Sequence, residues 1–202
     1  MDFSPENTTS EYLDLPLGEF LDLVASGNPA PGGGSVAAVA VALAAGLAGM
    51  AAQLSADQLA DASELADRAD ASRRRVAPLV RADAESYGRV LDAYREPDSE
   101  TRGERVRDAL SGATDVPLAV AEVGNEVASI ASRLVEQGNP NLEGDAMTAV
   151  LLAQAGVRAA AALVEINLSS ANLDDDRLWR ANELVDKTAG IVRQATEGHS
   201  RG

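Results

Sequence analysis

The sequence contains no cysteine and a single histidine. A disulfide framework, a thiol nucleophile and a cysteine-ligated metal site are therefore excluded. The histidine, His199, stands beside Gly and Ser near the C-terminus, where chain ends are usually poorly ordered, and we expect residues 197–202 to form a flexible tail. A lone histidine in such a tail disfavours histidine-dependent triads and zinc sites. We therefore predict chemistry without a metal.

Basic residues are also scarce. The chain has 17 Lys and Arg against 32 Asp and Glu, which gives a formal net charge of −15, and Lys187 is its only lysine. Such a surface repels nucleic acids and anionic membranes, so we predict neither as a partner. An acidic, lysine-poor surface also suits a protein in concentrated salt, where repulsion among its charges is screened. We therefore predict a halophilic source.

Aromatic residues make up only 3% of the chain although 46% of it is hydrophobic, so Ala, Val and Leu supply the apolar surface. The longest apolar run, residues 36–52, is mostly Ala and Gly and falls short of the roughly 20 strongly apolar residues that a membrane span needs. The first residues are polar and acidic, unlike a signal peptide, and residues 1–14 are expected to be flexible. These features predict a cytoplasmic protein.

Apolar residues recur at the three-and-four spacing of helices through residues 15–196, and no stretch alternates in the way that predicts a strand. Pro78 and Pro117 are expected to interrupt two of the helices. Ser35 is a good N-cap for a helix that is apolar on every side, which indicates burial among neighbours. The pattern predicts one domain, an all-α up-and-down helical bundle, and its two Ala-rich helices favour a homodimer.

A glycine-rich loop precedes the first of these Ala-rich helices. It runs through Gly27, Asn28, Pro29, Ala30, Pro31, Gly32, Gly33, Gly34 and Ser35. Consecutive glycines let backbone N–H groups point toward one centre, and a helix N-terminus adds partial positive charge, so an anion or a carbonyl oxygen could bind there. A nucleoside triphosphate loop is disfavoured because Gly33 and Gly34 stand where that motif needs Lys and Ser or Thr. The alternative is a flexible linker.

A second loop repeats the Gly-Asn-Pro tripeptide before the other Ala-rich helix. It consists of Gly138, Asn139, Pro140 and Asn141 and leads to Gly144 and Asp145. Asn side chains both donate and accept hydrogen bonds, so Asn139 and Asn141 could bind the amide-like edge of a ring. Asp145 could act as a general acid or base, or it could simply cap the helix. The shared tripeptide suggests that the two loops line one pocket.

A carboxylate interrupts an apolar stripe between Val76 and Tyr94. Apolar residues recur there at helical spacing, and Asp83 falls among them where an aliphatic residue is expected. A carboxylate that faces a core is costly unless it is paired or lies in a wet cleft, and such groups often transfer protons. The alternative is an Asp at the edge of the stripe, solvated or paired with Arg75 or Arg81.

Taken together, these segments resemble the cyclodeaminase/cyclohydrolase family, which includes the C-terminal part of formiminotransferase-cyclodeaminase and the methenyltetrahydrofolate cyclohydrolases. The resemblance begins with residues 20–38 and continues in order through Asp83-Ala84 with Tyr87, Tyr94-Arg95 before Pro97, residues 113–118, Gly138-Asn139-Pro140-Asn141 with Asp145-Ala146, and Ile166-Asn167-Leu168. It covers nearly the whole chain after the first dozen residues. The joint order and spacing of the segments are specific, whereas each segment alone is not.

The resemblance implies an all-helical homodimer whose pocket binds a tetrahydrofolate derivative as substrate. One reaction of the family closes 5-formiminotetrahydrofolate to 5,10-methenyltetrahydrofolate with loss of ammonia, and the other interconverts the methenyl compound and 10-formyltetrahydrofolate with water. We rank the cyclodeaminase first and the cyclohydrolase as its alternative; a helical oligomer that binds a ligand without turnover, or a purely structural bundle, is a further alternative. Both reactions need proton transfer and orientation rather than a metal.

On this basis Asp83 and Asp145 are predicted to be the acid/base pair. The predicted substrate-binding residues are Asn28, Pro31, Gly32, Gly33, Gly34, Ser35, Tyr87, Asn139 and Asn141. Three positions depart from the family's usual residues, because Gly144 replaces Ser, Asp98 replaces Lys and Glu165 replaces a basic residue. The two lost positive charges either reflect salt adaptation or weaken binding of the folate glutamate tail.

Overall fold

The computed structural model describes residues 12–97 and 100–199, and almost all of them are helical. The eight α-helices are α1 (Leu17–Val24), α2 (Gly33–Gln53), α3 (Ala62–Val76), α4 (Leu79–Arg95), α5 (Glu100–Ala113), α6 (Asp115–Gln137), α7 (Glu143–Ser170) and α8 (Asp176–His199). Short 3-10 helices, Tyr12–Asp14 and Pro140–Leu142, precede α1 and α7. Since no strand occurs within the described ranges, the predicted all-α helical bundle is confirmed. Of the terminal segments expected to be flexible, residues 12–14 and 197–199 are helical, and residues 1–11 and 200–202 lie outside the described residues.

Two prolines were expected to interrupt helices, and one of them lies at a helix boundary. Pro78 separates α3 from α4, as predicted, and occupies the N-cap of α4. The boundary expected at Pro117 lies earlier, at Thr114 between α5 and α6. Pro117 instead belongs to the first turn of α6, where a residue without an N–H is tolerated because the first N–H groups of a helix have no partner within it.

Neither candidate helix cap named from the sequence, Ser35 or Asp145, lies at an N-cap. α2 begins at Gly33 with Gly32 as its N-cap, so Ser35 is already inside the helix. α7 begins two residues before Asp145, which therefore lies in the first turn rather than at the cap. At the start of α8, Oδ1 of Asp175 accepts the backbone N–H of Arg177 at 2.9 Å and so satisfies one N–H group of the first turn.

The core is built where α2, α6 and α7 approach closely. A Cβ atom added at Gly124 of α6 would lie 2.6 Å from a methyl group of Val157, and one added at Gly156 of α7 would lie 2.5 Å from a methyl group of Val41. Both distances are far below van der Waals contact, so only glycine fits at these positions. Around them the core consists of Ala and Val, whose small volumes give the many short contacts that stabilise a close-packed interior.

One face of α2 is not covered within the protomer. Val36, Leu43, Met50 and Leu54 recur along that face and are 40%, 59%, 38% and 57% exposed. The expectation that α2 is surrounded on every side is therefore wrong for a single chain. By length and composition, α2 and the stretch Pro140–Ser170 could each cross a membrane, and 56% and 44% of their apolar windows are buried in the protomer.

Candidate active site

The N-terminus of α2 meets α4 at Ser35 and Asp83. The backbone N–H of Ser35 donates to Oδ2 of Asp83 at 2.8 Å, and the Ser35 hydroxyl donates to the carbonyl oxygen of Val80 at 2.8 Å. The same hydroxyl oxygen lies 3.2 Å from Oδ2 of Asp83. A hydroxyl has one proton, so Ser35 Oγ can donate it to the Asp83 carboxylate or, while it donates to Val80, accept a hydrogen bond from a protonated Asp83. The arrangement accommodates both protonation states of this carboxyl.

Gly34, the last glycine of the loop, allows this contact. A Cβ atom at Gly34 would overlap the carboxyl group of Asp83, whereas nothing lies within 4 Å of a Cβ atom built at Gly33. The glycines therefore have different roles, and Gly34 is needed for the close approach of α2 to Asp83. The sequence predicted a functional glycine cluster, but the partner that requires Gly34 lies in another helix.

The environment of Asp83 favours its neutral form. Burial raises the pKa of the Asp83 carboxyl, and the two hydrogen bonds from Ser35 oppose that rise. Neither basic alternative partner is directed to it, since Arg75 pairs with Glu126 at 2.7 Å and Arg81 pairs with Glu85 at 2.6 Å. A carboxyl that can exist in both protonation states can act as a general acid and as a general base.

Tyr12 lies close to this carboxyl from the side of the N-terminal segment. Its ring meets the Phe20 ring edge-on, with 6.4 Å between the centroids. Burial raises the pKa of the Tyr12 hydroxyl, and the nearby charges of Asp83 and Glu85 raise it further. The 3-10 helix before α1 therefore contributes a neutral phenol beside Asp83.

A cleft of about 310 Å³ opens in front of Asp83. This volume is within the range of small-molecule sites. Its lining residues are Pro29, Ala30, Gly32, Gly33, Gly34, Asp83, Ala84, Ser86, Tyr87, Ala113, Pro117, Leu163, Ile166 and Asn167. The walls are mainly apolar, and none of these lining residues is Lys, Arg or His. The cleft thus suits a flat, neutral or cationic ring more than an anion.

The cleft contains several of the predicted binding residues. Gly32, Gly33, Gly34 and Tyr87 line it directly, and Ser35 lies behind the glycines, bonded to Asp83. Pro31 follows a cis peptide bond in the same loop and is buried. Asn28 is outside this lining, where its backbone N–H donates to Ser26 Oγ at 3.2 Å.

The second loop lies at the opposite end of α2. The backbone N–H of Asn139 donates to Ser55 Oγ at 2.8 Å, and its side-chain amide donates to the carbonyl oxygen of Leu54 at 3.0 Å. Asn139 Oδ1 in turn accepts the N–H of Asn141 at 3.0 Å. Since α2 has 21 residues, the two loops are separated by about 30 Å within one chain.

The prediction that both loops line one pocket is therefore wrong within a protomer. Asp145, in the first turn of α7, lies with the second loop, so it is far from Asp83 of the same chain. Gly138 makes the tight packing possible there, because a Cβ atom would lie 2.5 Å from the carbonyl oxygen of Leu134. The two Gly-Asn-Pro tripeptides therefore precede helices, α2 and α7, that run in opposite directions.

Two polar residues of the cleft, Ser86 and Asn167, were not predicted to bind substrate. Ser86 donates its hydroxyl to the backbone oxygen of Asp83 at 2.9 Å, and the side-chain amide of Asn167 donates to the carbonyl oxygen of Ala113 at 3.0 Å. Asn167 belongs to one of the segments that carried the family resemblance, and that was its only signal in the sequence. Its partner is 54 positions away, so local pattern could not reveal the contact.

The remaining expectations concern metals and the unusual positions. Across residues 12–97 and 100–199, no group of three or more acidic, His or Cys side chains could hold a metal ion, and the absence of a metal from the reaction stays a prediction. Gly144 and Glu165 are both exposed on α7, outside the cleft lining, and Asp98 lies outside the described residues.

A family model and several known proteins match most of this chain. The family model described as formiminotransferase-cyclodeaminase matches residues 16–186. A methenyltetrahydrofolate cyclohydrolase of Methylorubrum extorquens is 35% identical over 187 residues, which cover 87% of this chain and 88% of the relative. The formimidoyltransferase-cyclodeaminase of Rattus norvegicus is 32% identical over 191 residues, but this chain spans only 34% of its length.

A solved structure shows the same fold. The crystal structure of formiminotetrahydrofolate cyclodeaminase from Thermotoga maritima superposes with a TM-score of 0.84 at 28% identity, covering 93% of this chain and 97% of that one. The family model, the relatives and the fold agree with the resemblance seen in the sequence. The chain is therefore an enzyme that belongs to the formiminotransferase-cyclodeaminase family, the family of folate one-carbon cyclodeaminases and cyclohydrolases.

Proposed function

We propose that this chain hydrolyses 5,10-methenyltetrahydrofolate to 10-formyltetrahydrofolate. The observation that carries the proposal is the Asp83 carboxyl, which Ser35 holds at the wall of an apolar cleft and whose pKa is raised by burial. The cyclohydrolase is preferred over the cyclodeaminase ranked first from the sequence. This preference rests on the Methylorubrum cyclohydrolase, which is similar along 88% of its own length and at higher identity than the cyclodeaminase relatives.

The reaction adds water to the methenyl carbon between N5 and N10 of the substrate. Asp83, as a carboxylate, accepts a proton from the attacking water while the oxygen bonds to that carbon, which gives a neutral tetrahedral adduct. Asp83 then returns the proton to N5 as the bond between carbon and N5 breaks. The hydroxyl proton of the adduct leaves to solvent, the formyl group stays on N10, and one proton is released per turnover.

The electrostatics of the cleft suit this substrate. The methenyl compound carries a positive charge that the product lacks, and the cleft lining offers the Asp83 carboxyl but none of the basic side chains that would repel a cation. The apolar walls lower the local dielectric constant, which strengthens the attraction between Asp83 and the cation. The Gly32–Gly34 backbone and Tyr87 are proposed to hold the ring against this carboxyl.

The second candidate is the cyclodeaminase, which the Thermotoga structure favours. In that reaction N10 attacks the formimino carbon on N5, and the tetrahedral adduct loses ammonia. Asp83 would accept the N10 proton and give a proton to the departing nitrogen. The same carboxyl serves both reactions, because each passes through a tetrahedral carbon between the same two nitrogens.

We further propose that the active unit is a homodimer formed through the exposed face of α2. No charged residue occurs in α2, so this helix gives the surface a stripe about 30 Å long without a carboxylate. In a chain with a net charge of −15, two copies can approach along this stripe with the least repulsion. On α7, which packs against α2, Leu151 is also 47% exposed.

A two-fold axis across the middle of α2 would join the two loops. Such an axis turns the partner's α2 end to end, so the second loop of the partner comes to the cleft of the first chain. Asn139, Asn141 and Asp145 of the partner subunit would then complete the site with Asp83. This arrangement accounts for a family motif that lies about 30 Å from the cleft of its own chain.

Absorbance of 5,10-methenyltetrahydrofolate tests the proposed function. Loss of absorbance faster than in buffer, with 10-formyltetrahydrofolate as product, supports the cyclohydrolase. Appearance of the methenyl compound from 5-formiminotetrahydrofolate, with release of ammonia, supports the cyclodeaminase instead. Folate binding without either reaction would reduce the protein to a ligand-binding oligomer, and failure to bind folate would overturn the proposal altogether.

A further inference from the structure

The side chain of Asn167 donates a hydrogen bond to a backbone carbonyl that has no backbone donor, because the residue four positions along is a proline. The helical path continues through the junction of α5 and α6, where the N–H of Leu118 donates to the carbonyl oxygen of Thr114 at 3.3 Å. By the same spacing the carbonyl of Ala113 would accept from residue 117, but Pro117 has no N–H. The side-chain amide of Asn167 donates to that carbonyl at 3.0 Å.

This bond fixes the orientation of the Asn167 amide. A backbone carbonyl only accepts hydrogen bonds, so the nitrogen of the amide must face Ala113 and the oxygen must occupy the other branch. Oδ1 accepts no hydrogen bond from the part of the chain that the structure describes. Since Asn167 lines the cleft, its oxygen is an oriented acceptor available to a ligand.

The other polar side chains of the cleft restrict what such a ligand can be. The Ser86 hydroxyl is already engaged with the backbone oxygen of Asp83. Among the lining side chains, the Asp83 carboxylate and the Asn167 oxygen only accept hydrogen bonds, whereas the hydroxyls of Ser86 and Tyr87 can also donate. A flat ring that presents N–H donors at its edge matches this pattern.

We propose that Asn167 is a specificity-determining residue that accepts a hydrogen bond from the N–H edge of the bound ring. The inference rests on the proposed function, in which the ring is the pterin of a folate and the donors are its 2-amino group and N3–H. Pro117 has a positioning role, because its missing N–H leaves the Ala113 carbonyl to hold the amide. An aspartate at position 167 would place a second acceptor against that carbonyl. A leucine could neither donate to the carbonyl nor accept a hydrogen bond from the ligand.

A pair of ligands tests this inference without relying on turnover. The first is 5-formyltetrahydrofolate, and the second is the same compound with a methyl group in place of the 2-amino group, which removes donors from the edge. We expect the wild-type protein to bind the amino compound on the order of tenfold more tightly. Isothermal titration calorimetry gives both dissociation constants.

Two variants assign that preference to Asn167. Asn167→Ala is expected to bind both compounds weakly and with nearly equal affinity. Asn125→Ala is the matched control, because the Asn125 amide donates to Thr188 Oγ1 at 2.8 Å away from the cleft lining, and it should keep the wild-type preference. If the role of Asn167 is purely structural, Asn167→Ala will lower the melting temperature but leave the preference between the two ligands unchanged.

The outcomes separate this inference from the proposed function. If the wild-type protein binds both compounds equally, the role of Asn167 is overturned whether or not the alanine variant folds. If Asn167→Ala folds and retains the wild-type preference, the role is also overturned. If the wild-type protein binds neither compound, the proposed folate function itself fails.

Discussion

The backbone N–H of Ser35 donates a 2.8 Å hydrogen bond to Oδ2 of Asp83, and this bond joins the start of α2 to the middle of α4. Ser35 lies in the first turn of α2, where N–H groups have no partner within the helix. Asp83 supplies that partner from another helix. One carboxyl therefore has a structural role and a proposed chemical role, and a substitution that preserves its shape separates them.

Asp83→Asn is that substitution. An asparagine oxygen can still accept the Ser35 N–H, but the amide cannot accept and return a proton. We expect turnover to fall by about 10²- to 10⁴-fold while the helical circular dichroism spectrum stays unchanged. Asp92→Asn is the control, because Asp92 is exposed on the same helix and pairs with Arg95 at 2.9 Å. Full turnover by a folded Asp83→Asn protein would remove the acid/base assignment.

The raised pKa of Asp83 also predicts how stability depends on pH. A carboxyl whose pKa is higher in the folded than in the unfolded chain stabilises the fold most below its ordinary pKa of 3.8, and this contribution is lost as pH rises through the folded value. At pH values above the folded pKa, the ionised, half-buried Asp83 is therefore unfavourable. Asp83→Asn should melt at a higher temperature than wild type at pH 7, and the difference should shrink toward pH 4. Thermal unfolding across that range measures it, and a difference that does not vary with pH would contradict the assigned pKa shift.

Gly34→Ala tests the close approach between the loop and Asp83. The added Cβ atom would overlap the Asp83 carboxyl, so either α2 or Asp83 must move. We expect a loss of stability of about 1–3 kcal/mol, typical of overpacking, together with loss of activity. Gly88→Ala in α4, where a Cβ atom meets nothing within 4 Å, should be neutral or slightly stabilising.

A second substitution shows whether overlap with Asp83 causes the loss of stability in Gly34→Ala. Asp83→Ala removes the atoms that the new Cβ atom would meet, so Gly34→Ala combined with Asp83→Ala should recover much of the stability that Gly34→Ala loses, while remaining inactive. If the double variant is as unstable as the sum of the two single losses, the two sites are not in contact. Chemical denaturation of the four proteins gives this comparison as a double-mutant cycle.

Much of this fold could be predicted from the sequence, because helical periodicity and proline are local signals. The break at Pro78 and the carboxylate within the stripe of α4 were both found in this way. Ser35 was assigned as a cap because its residue type fits that role, but Gly32 and Gly33 begin the helix earlier. Local pattern cannot show that a helix start is completed by Asp83, 48 positions away.

The arrangement of the site was harder to predict than its residues. The two Gly-Asn-Pro tripeptides look equivalent in the sequence, yet α2 and α7 run in opposite directions and carry them to opposite ends of the protomer. Asn139 looked like a ring-binding amide, but its side chain bonds to Leu54 and Asn141. Asn167 was not predicted to bind substrate, although it is the asparagine that lines the cleft.

The excess of acidic residues predicts salt-dependent stability. With a net charge of −15, repulsion within the folded chain is strong at low ionic strength and is screened as salt is added. We expect the unfolding midpoint to rise steadily from low salt to multimolar KCl. A midpoint that is the same without salt would count against a halophilic source.

The proposed homodimer predicts a change of mass on substitution of its apolar face. Leu43 is 59% exposed at the middle of α2, so Leu43→Glu would place carboxylates near the two-fold axis and should give a monomer without activity. Trp179→Glu is the control, because Trp179 is 67% exposed on α8, a different helix, and this variant should stay dimeric. Analytical ultracentrifugation distinguishes these states. A wild-type monomer that binds neutral lipid vesicles through Leu43 would assign the face to a membrane instead.

Hybrid dimers test whether the partner's second loop completes the cleft. If Asp83 of one chain works with Asp145 of the other, co-expressed Asp83→Asn and Asp145→Asn chains form hybrids in which one of the two sites is fully wild type. Random pairing makes half of the dimers hybrid, so about a quarter of wild-type turnover should return, although each variant alone is inactive. Sites contained within one chain would recover nothing, since every chain carries a substitution. Hybrids that form without activity would therefore exclude a shared site, and a fully active Asp145→Asn protein would exclude Asp145 from it.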